Sequence, residues 1–140
     1  MYTINKVFLL YPAILMMLLA LFLYIKNYLA NKKAVINSDV KFSYFKDYKG
    51  EVPYYVSISR QTLKNQFELP IYFYFLISII IAFDSVFLLD IIIAWVFVIS
   101  RYIHCYIRLS SNNIKYRSNS FAFGLLTLIV WWSIFLYRVY

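Results

Sequence analysis

The composition of this 140-residue chain is far from that of a soluble domain. Hydrophobic residues make up 64% of it and charged residues 14%, against about 45–50% and about 25% in soluble proteins. Two glycines and three prolines exclude a collagen-like or Pro/Gly-rich disordered chain, and a single cysteine excludes a disulfide framework. That cysteine and one histidine build no zinc cluster, so no metal is expected. The composition predicts an integral membrane protein.

The net charge of +8 raises the possibility of nucleic-acid binding. The lysines and arginines, however, lie beside apolar runs, and the tyrosines among them, such as Tyr44 and Tyr48, are typical of a membrane–water interface. We therefore expect contact with the lipid bilayer and none with nucleic acid.

Four apolar segments are long enough to cross the roughly 30 Å hydrocarbon core of a bilayer. The first, residues 7–25, is longer than the apolar region of a signal peptide and is interpreted as an uncleaved helix. Residues 69–100 are too long for one crossing, and a turn at Asp84-Ser85 divides them, with Asp90 as a helix N-cap. Residues 119–137 form the last span. We predict an all-α, four-transmembrane-helix bundle in a single domain, with helices at about 7–29, 62–83, 86–109 and 119–138 and a loop at about 30–61.

The distribution of lysine and arginine predicts the orientation in the membrane. Twelve of the fourteen lie in the first loop or beside the connection between the third and fourth helices, and only Lys6 and Arg138 lie on the other side. We therefore expect the long first loop to be cytoplasmic and both termini to be external.

Two polar clusters interrupt the spans, each spaced i, i+3, i+7 on one helix face: Asn65, Glu68 and Tyr72 on the second helix, and Arg101, His104 and Arg108 on the third. At 1.5 Å per residue, Glu68 lies about 9 Å and Arg101 about 12 Å from the cytoplasmic surface. Because an isolated charge at that depth costs about 2.5–3.5 kcal/mol, the two are expected to pair inside the bundle. The pair either fixes the helix register or lines a cation-rich pocket for an anionic, peptide-sized ligand.

Three blocks of sequence resemble the MAPEG family, the membrane-associated proteins of eicosanoid and glutathione metabolism, and above all its small bacterial branch. They are VINSDVKFSYFK in the first loop, KNQFELPIYFYF entering the second helix, and AWVFVISRYIHCYIRLSSNNIKYR through the third helix into the fourth. The resemblance implies a homotrimer in the bacterial inner membrane that binds glutathione between subunits at the cytoplasmic side.

The resemblance also implies which residues bind glutathione. Asn65 and Glu68 match the motif of the second helix, and Arg101 and His104 match the Arg-x-x-His pattern of the third. Glu68 would take the amino group of the tripeptide, and Arg101 or Arg108 a carboxylate, with Tyr72 on the same binding face.

Arg117 and Ser118 are the implied catalytic residues. Arg117 matches the arginine that stabilises the glutathione thiolate in the family, and Ser118 a serine next to it in some members. A guanidinium stays charged and can favour the nucleophilic thiolate without titrating itself. Because Arg108 replaces a tyrosine of the eicosanoid-making members, we expect another lipophilic small molecule, an electrophile or a lipid hydroperoxide, as acceptor. The alternative is a non-catalytic lipid-binding or scaffold protein on the same fold.

Overall fold

The computed structural model describes residues 5–140, which are helical throughout apart from short connections and contain no strand. Four stretches in this range are long and apolar enough to cross a membrane: Val7–Ile36, Tyr54–Ala82, Leu88–Leu109 and Ile114–Val139. The prediction of an all-α chain with four membrane-spanning segments is confirmed.

The described residues form six helices: α1 (Val7–Ile36), α2 (Tyr44–Asp47), α3 (Tyr54–Lys64), α4 (Leu69–Ala82), α5 (Leu88–Leu109) and α6 (Ile114–Val139). All of them except the short α2 belong to the four stretches. One stripe of α1 residues, including Leu9 and Met16, is buried against α3, α4 and α5. The centre of the core is aromatic, because the ring of Phe73 stacks on Phe97 at 4.8 Å and lies 5.9 Å from Trp131. Apolar packing of this kind fixes the helices on which the polar side chains are mounted.

The first loop is more helical than the sequence indicates. Where a loop is predicted at about 30–61, α1 continues to Ile36, α2 follows, and α3 already begins at Tyr54. These turns have a small core of their own, in which Ala34 and Val56 are wholly buried. Hydropathy detects only the part of a helix that crosses lipid, so the amphipathic turns beyond the bilayer are missed.

The second membrane-spanning stretch is broken near its middle, whereas one continuous helix is predicted at 62–83. A 3₁₀ turn, Asn65–Phe67, follows α3, and Glu68 leaves helical geometry with φ −96° and ψ −90° before α4 begins. Pro70 explains the break, since it has no N–H to donate to the carbonyl of Gln66 and its ring crowds that carbonyl.

Two further helix starts differ from the sequence prediction. α6 begins at Ile114 rather than at about 119, because Asn113 caps it by accepting from the backbone N–H groups of Lys115 and Tyr116 at 3.0 and 3.3 Å. Asp90 is not an N-cap but the third residue of α5, and its wholly buried carboxylate accepts from the backbone N–H of Phe87 at 2.9 Å. The first turns of α6 are therefore polar, and an apolar run does not reveal them.

Candidate functional site

Polar side chains collect between the end of α3, the last two turns of α5 and the first turns of α6, the end of the bundle that carries the first loop. We call this set the polar cluster: Gln61, Asn65, Gln66, Arg101, His104, Arg108, Arg117 and Ser120. All eight lie in helical stretches that could cross a membrane. Ionisable groups at such positions mark functional sites by default.

His104 connects the elements around the polar cluster. Its Nδ1 lies 3.2 Å from both the main-chain oxygen of Arg117 and Ser120 Oγ, and Ser120 Oγ donates to that same oxygen at 3.0 Å. A carbonyl oxygen only accepts, so Nδ1 carries the proton and Nε2, 3.4 Å from the Asn65 amide, is an acceptor. The imidazole thus joins α5 to the first turns of α6.

Arg108 fastens the end of α5 to α3. Its Nη2 donates to Gln61 Oε1 at 2.9 Å, and its side chain is almost fully buried. The Asn65 amide satisfies both of its polar atoms in the orientation in which its oxygen accepts from Arg108 Nη1 at 3.0 Å and its nitrogen donates to the main-chain oxygen of Gln61 at 3.2 Å. Asn65 therefore lies within hydrogen-bonding reach of both Arg108 and His104.

Arg101 is the deepest member of the polar cluster and is 0% exposed. Within the described part of the chain, its Nε, Nη1 and Nη2 all lack a hydrogen-bond partner. The guanidinium carbon lies 5.5 Å from the Phe121 ring centroid, which provides a cation–π contact but no counter-charge. A buried, unpaired guanidinium is costly, and an anionic ligand would satisfy it.

The predicted ion pair between Glu68 and Arg101 is wrong. The side chain of Glu68 is exposed, and neither salt bridge within residues 5–140 includes it. The break before Pro70 is the physical reason, because it removes Glu68 from the helical register that would direct it inward. Tyr72 is also directed outward, with 57% of its surface exposed. Asn65 and Arg101 are thus in the polar cluster, whereas Glu68 and Tyr72 lie on the outer face.

Arg117 contributes to the polar cluster mainly through its main-chain oxygen. Its half-buried side chain donates from Nη1 to Asn112 Oδ1 at 2.7 Å, just before α6 begins, and Ser118 is exposed. Three members of the polar cluster were not predicted from the sequence: Gln61, Gln66 and Ser120. Gln61 precedes Asn65 by four residues, and Gln66 directly follows it. Ser120 follows Arg117 by three residues, a spacing that puts both on one helix face. These spacings from the predicted site residues could have identified all three.

Beside the polar cluster, α1 and α5 enclose an apolar groove of about 410 Å³. Leu18 and Phe22 line one wall, and Tyr102 and Leu109 the other. Cys105, which follows His104 and accepts from Gln66 Nε2 at 3.1 Å, also lines it. The groove thus brings an apolar surface within one helical turn of the polar cluster.

Residues 5–140 contain no group of three His, Cys, Asp or Glu side chains that could hold a metal ion. The model of the MAPEG family matches residues 9–137, which include every member of the polar cluster. No curated protein and no solved structure matches the chain. The resemblance seen in the sequence is therefore confirmed by the family match.

Proposed function

Because this chain belongs to the MAPEG family of membrane four-helix bundles, we propose that it is a glutathione transferase-like enzyme that activates the glutathione thiolate. The observation that carries the proposal is the concentration of Arg101, Arg108 and Arg117 at one end of the bundle with no salt bridge to a carboxylate in the described chain. Such an excess of cations favours a bound anion.

The residues present fit glutathione, a tripeptide with two carboxylates and one amino group. Arg101 has three unpartnered nitrogens, and the buried Oε1 of Gln66 is also without a partner among residues 5–140. Guanidinium–carboxylate hydrogen bonds are among the strongest in proteins. Arg101, Arg108 and Asn65 would hold the carboxylates, His104 would fix their spacing, and Glu68 would take the amino group.

When bound, glutathione supplies the sulfur nucleophile that either forms a bond to an electrophile or reduces a hydroperoxide. Arg117 remains positively charged at any physiological pH and would favour the thiolate over the thiol. The hydrogen bonds of its main-chain oxygen with His104 and Ser120 fix the helical turn that carries it. Ser118, next to it, would add a hydroxyl donor for the sulfur.

The acceptor would be lipophilic. The groove between α1 and α5 is almost entirely apolar and lies in the membrane-spanning part of both helices. A ligand dissolved in the bilayer could enter it without crossing water, which suits an apolar electrophile or a lipid hydroperoxide.

A homotrimer would complete the site. Glu68 and Tyr72 are exposed on the single chain within a membrane-spanning stretch. A carboxylate that faces lipid is costly, so burial between subunits near Arg-rich surfaces would stabilise it. Cross-linking of the protein in its membrane should therefore give a trimer.

The proposed location is the bacterial inner membrane, with both termini external. Lys6 pairs with Asp84 at 3.3 Å at one end of the bundle, whereas the cation-rich loops lie at the other. A reporter fused after Tyr140 should be active outside the cytoplasm and one inserted after Lys49 inside it, and the reverse pattern would refute the orientation.

The test of the function is ultraviolet difference absorbance of the detergent-purified protein titrated with glutathione. Wild type should give a saturable thiolate band, and Arg117→Ala should lose it. Lys115→Ala removes an exposed cation from the same helix two residues earlier and should keep the band. The proposal would be contradicted if Arg117→Ala kept the band. It would also be contradicted if wild type showed neither the band nor glutathione-dependent turnover.

The second candidate function is lipid binding without catalysis. It is favoured by the hydrogen bond from Arg117 Nη1 to Asn112, which occupies part of the guanidinium that would act on the thiol. Saturable lipid binding in the groove between α1 and α5, with no thiolate band and no glutathione-dependent turnover, would support it.

A further inference from the structure

A second groove shares no lining residue with the polar cluster and lies on the last turns of α1, beside α2. It has a volume of about 420 Å³. Its walls are formed by Tyr28, Asn31, Lys32 and Val35 of α1 on one side, and by Phe42 and Phe45 around α2 on the other. We call it the lysine groove.

The packing of α1 against α5 places the lysine groove at the level of the lipid headgroups. Tyr102 Oη donates to the main-chain oxygen of Leu15 at 2.9 Å, and Leu109, the last residue of α5, lines the same groove as Phe22. The uncharged run of α1 ends at Ile25, three residues after Phe22 and directly before Lys26. Tyr28 to Ile36 then extend from about 4 to about 16 Å beyond it, at 1.5 Å per residue.

The lysine groove faces away from the protein. On the opposite side of α1, Ala34 is wholly buried, and Lys33 lies over the Tyr55 ring at 5.4 Å. In contrast, Ile36 is 70% and Phe42 79% exposed. Large apolar side chains exposed at this level are typical of residues that lie among lipid headgroups and the first carbons of the acyl chains.

The charge at the lysine groove is positive. Lys32 makes no hydrogen bond or ion pair with residues 5–140, and its side chain leans toward the N-terminus of α1, which is toward the bilayer. Lys26, Lys41 and Lys46 are exposed nearby in sequence. The acid at the start of this segment, Asp39, already accepts from Tyr55 Oη at 2.7 Å.

From this placement, shape and charge we propose that the lysine groove binds one anionic phospholipid, with the phosphate at Lys32 and the glycerol and upper acyl carbons between Phe42 and Val35. An acidic peptide would satisfy Lys32 but would leave the apolar walls without a partner. A zwitterionic phospholipid would fill the walls and carries its own cation beside the phosphate. The bound lipid would fix the first loop to the membrane surface next to the end of the bundle that holds the polar cluster.

The experiment is native mass spectrometry of the full-length protein in detergent with added phosphatidylglycerol or phosphatidylcholine. Wild type should retain phosphatidylglycerol in preference to phosphatidylcholine. Lys32→Gln should lower phosphatidylglycerol retention about fivefold, the factor expected for one lysine near an anionic surface, and leave phosphatidylcholine unchanged. Phe42→Ala should lower retention of both lipids. Because both side chains are exposed, neither change should affect folding.

Lys49→Gln is the matched control, since it removes one exposed lysine of the same loop that does not line the groove. Equal retention of the two lipids by wild type, or the same loss in Lys49→Gln as in Lys32→Gln, would overturn the proposal. Dissociation of an oligomer in Phe42→Ala with unchanged lipid retention would assign the groove to a second copy of the chain and would also overturn it. Displacement of phosphatidylglycerol by polyglutamate at equal charge concentration would assign it to an acidic peptide.

Discussion

Asp90 and Arg138 form a buried ion pair that joins the start of α5 to the end of α6. Arg138 Nη2 and Nη1 donate to the two carboxylate oxygens at 2.7 and 2.8 Å, and Trp131 Nε1 donates to the same carboxylate at 2.8 Å. The charge buried at this end of the bundle is therefore balanced within the chain. Toward the opposite end of the bundle, Arg101 has no such partner among residues 5–140.

The first prediction concerns this pair. Arg138→Gln should lower the free energy of unfolding by about 3–5 kcal/mol, because it leaves the buried Asp90 carboxylate without its counter-charge. Lys6→Gln removes an exposed ion pair with Asp84 at the same end and should change stability by less than about 1 kcal/mol. Denaturant titration of the detergent-solubilised protein measures both, and equal effects would contradict the structural role of Asp90.

The second prediction concerns Gly124, where α6 packs against α5. A Cβ there would lie 3.0 Å from Ser100 Oγ and 3.7 Å from Arg101 Cδ. Ser100 Oγ is buried and donates to the main-chain oxygen of Phe97 at 2.6 Å, so it has little freedom to move. Gly124→Ala should therefore lower the unfolding free energy by about 1–3 kcal/mol, the usual range for overpacking.

The contact with Ser100 can be tested by rescue. Ser100→Ala removes the hydroxyl that the new methyl group would meet, so the double variant Gly124→Ala/Ser100→Ala should recover most of the stability lost in Gly124→Ala. Thermal unfolding of the four proteins gives the coupling energy between the two sites. Strictly additive effects would show that the close approach of the helices is not limited by this hydroxyl.

The third prediction concerns His104 as a positioning residue. His104→Leu should lower the unfolding free energy by about 1–3 kcal/mol, because the main-chain oxygen of Arg117 and the hydroxyl of Ser120 both lose a hydrogen-bond partner. His104→Leu should also weaken the thiolate band although Arg117 itself is unchanged, because the helical turn that carries Arg117 loses its hydrogen bond to residue 104. Thr127→Val, which removes a hydroxyl that bonds only within α6, should leave the band intact. A normal band in His104→Leu would show that Arg117 needs no such support.

The membrane class, the number of spans and the family could be predicted from the sequence, because apolar runs and residue spacing can be recognised without knowing how the helices pack. The helix ends did not. The Asn113 cap precedes two polar turns of α6, and the turns of α1 beyond Lys26 depend on the small core around Ala34, so neither leaves a mark in hydropathy. Such turns are held by hydrogen bonds and local packing, which a hydropathy window does not register.

The direction of the side chains in the candidate site could not be predicted from the sequence. Similar depths, about 9 Å for Glu68 and about 12 Å for Arg101, suggested that the two side chains meet. Pro70 breaks the helix before it, however, and Glu68 is directed outward. The pairing of Asp90 with Arg138 likewise needs the antiparallel packing of α5 and α6, although an acid beside a long apolar run was a visible signal. Rotation about helix axes and partners 48 residues apart are set by tertiary packing.

The last prediction tests whether Arg101 serves a ligand or the fold. Arg101→Met keeps a long, flexible side chain beside Phe121 but removes a buried charge with no partner among residues 5–140. Replacement of a buried charge by an apolar group is often neutral or stabilising by about 1–4 kcal/mol, so the unfolding free energy should stay equal or rise. Glutathione affinity should fall at least tenfold, because a charge-assisted hydrogen bond contributes about 1.5–3 kcal/mol. Unfolding in detergent and the glutathione titration measure the two effects separately. Clear destabilisation by Arg101→Met would mean that a counter-charge from a neighbouring subunit already satisfies this guanidinium, and unchanged affinity would remove it from the binding site.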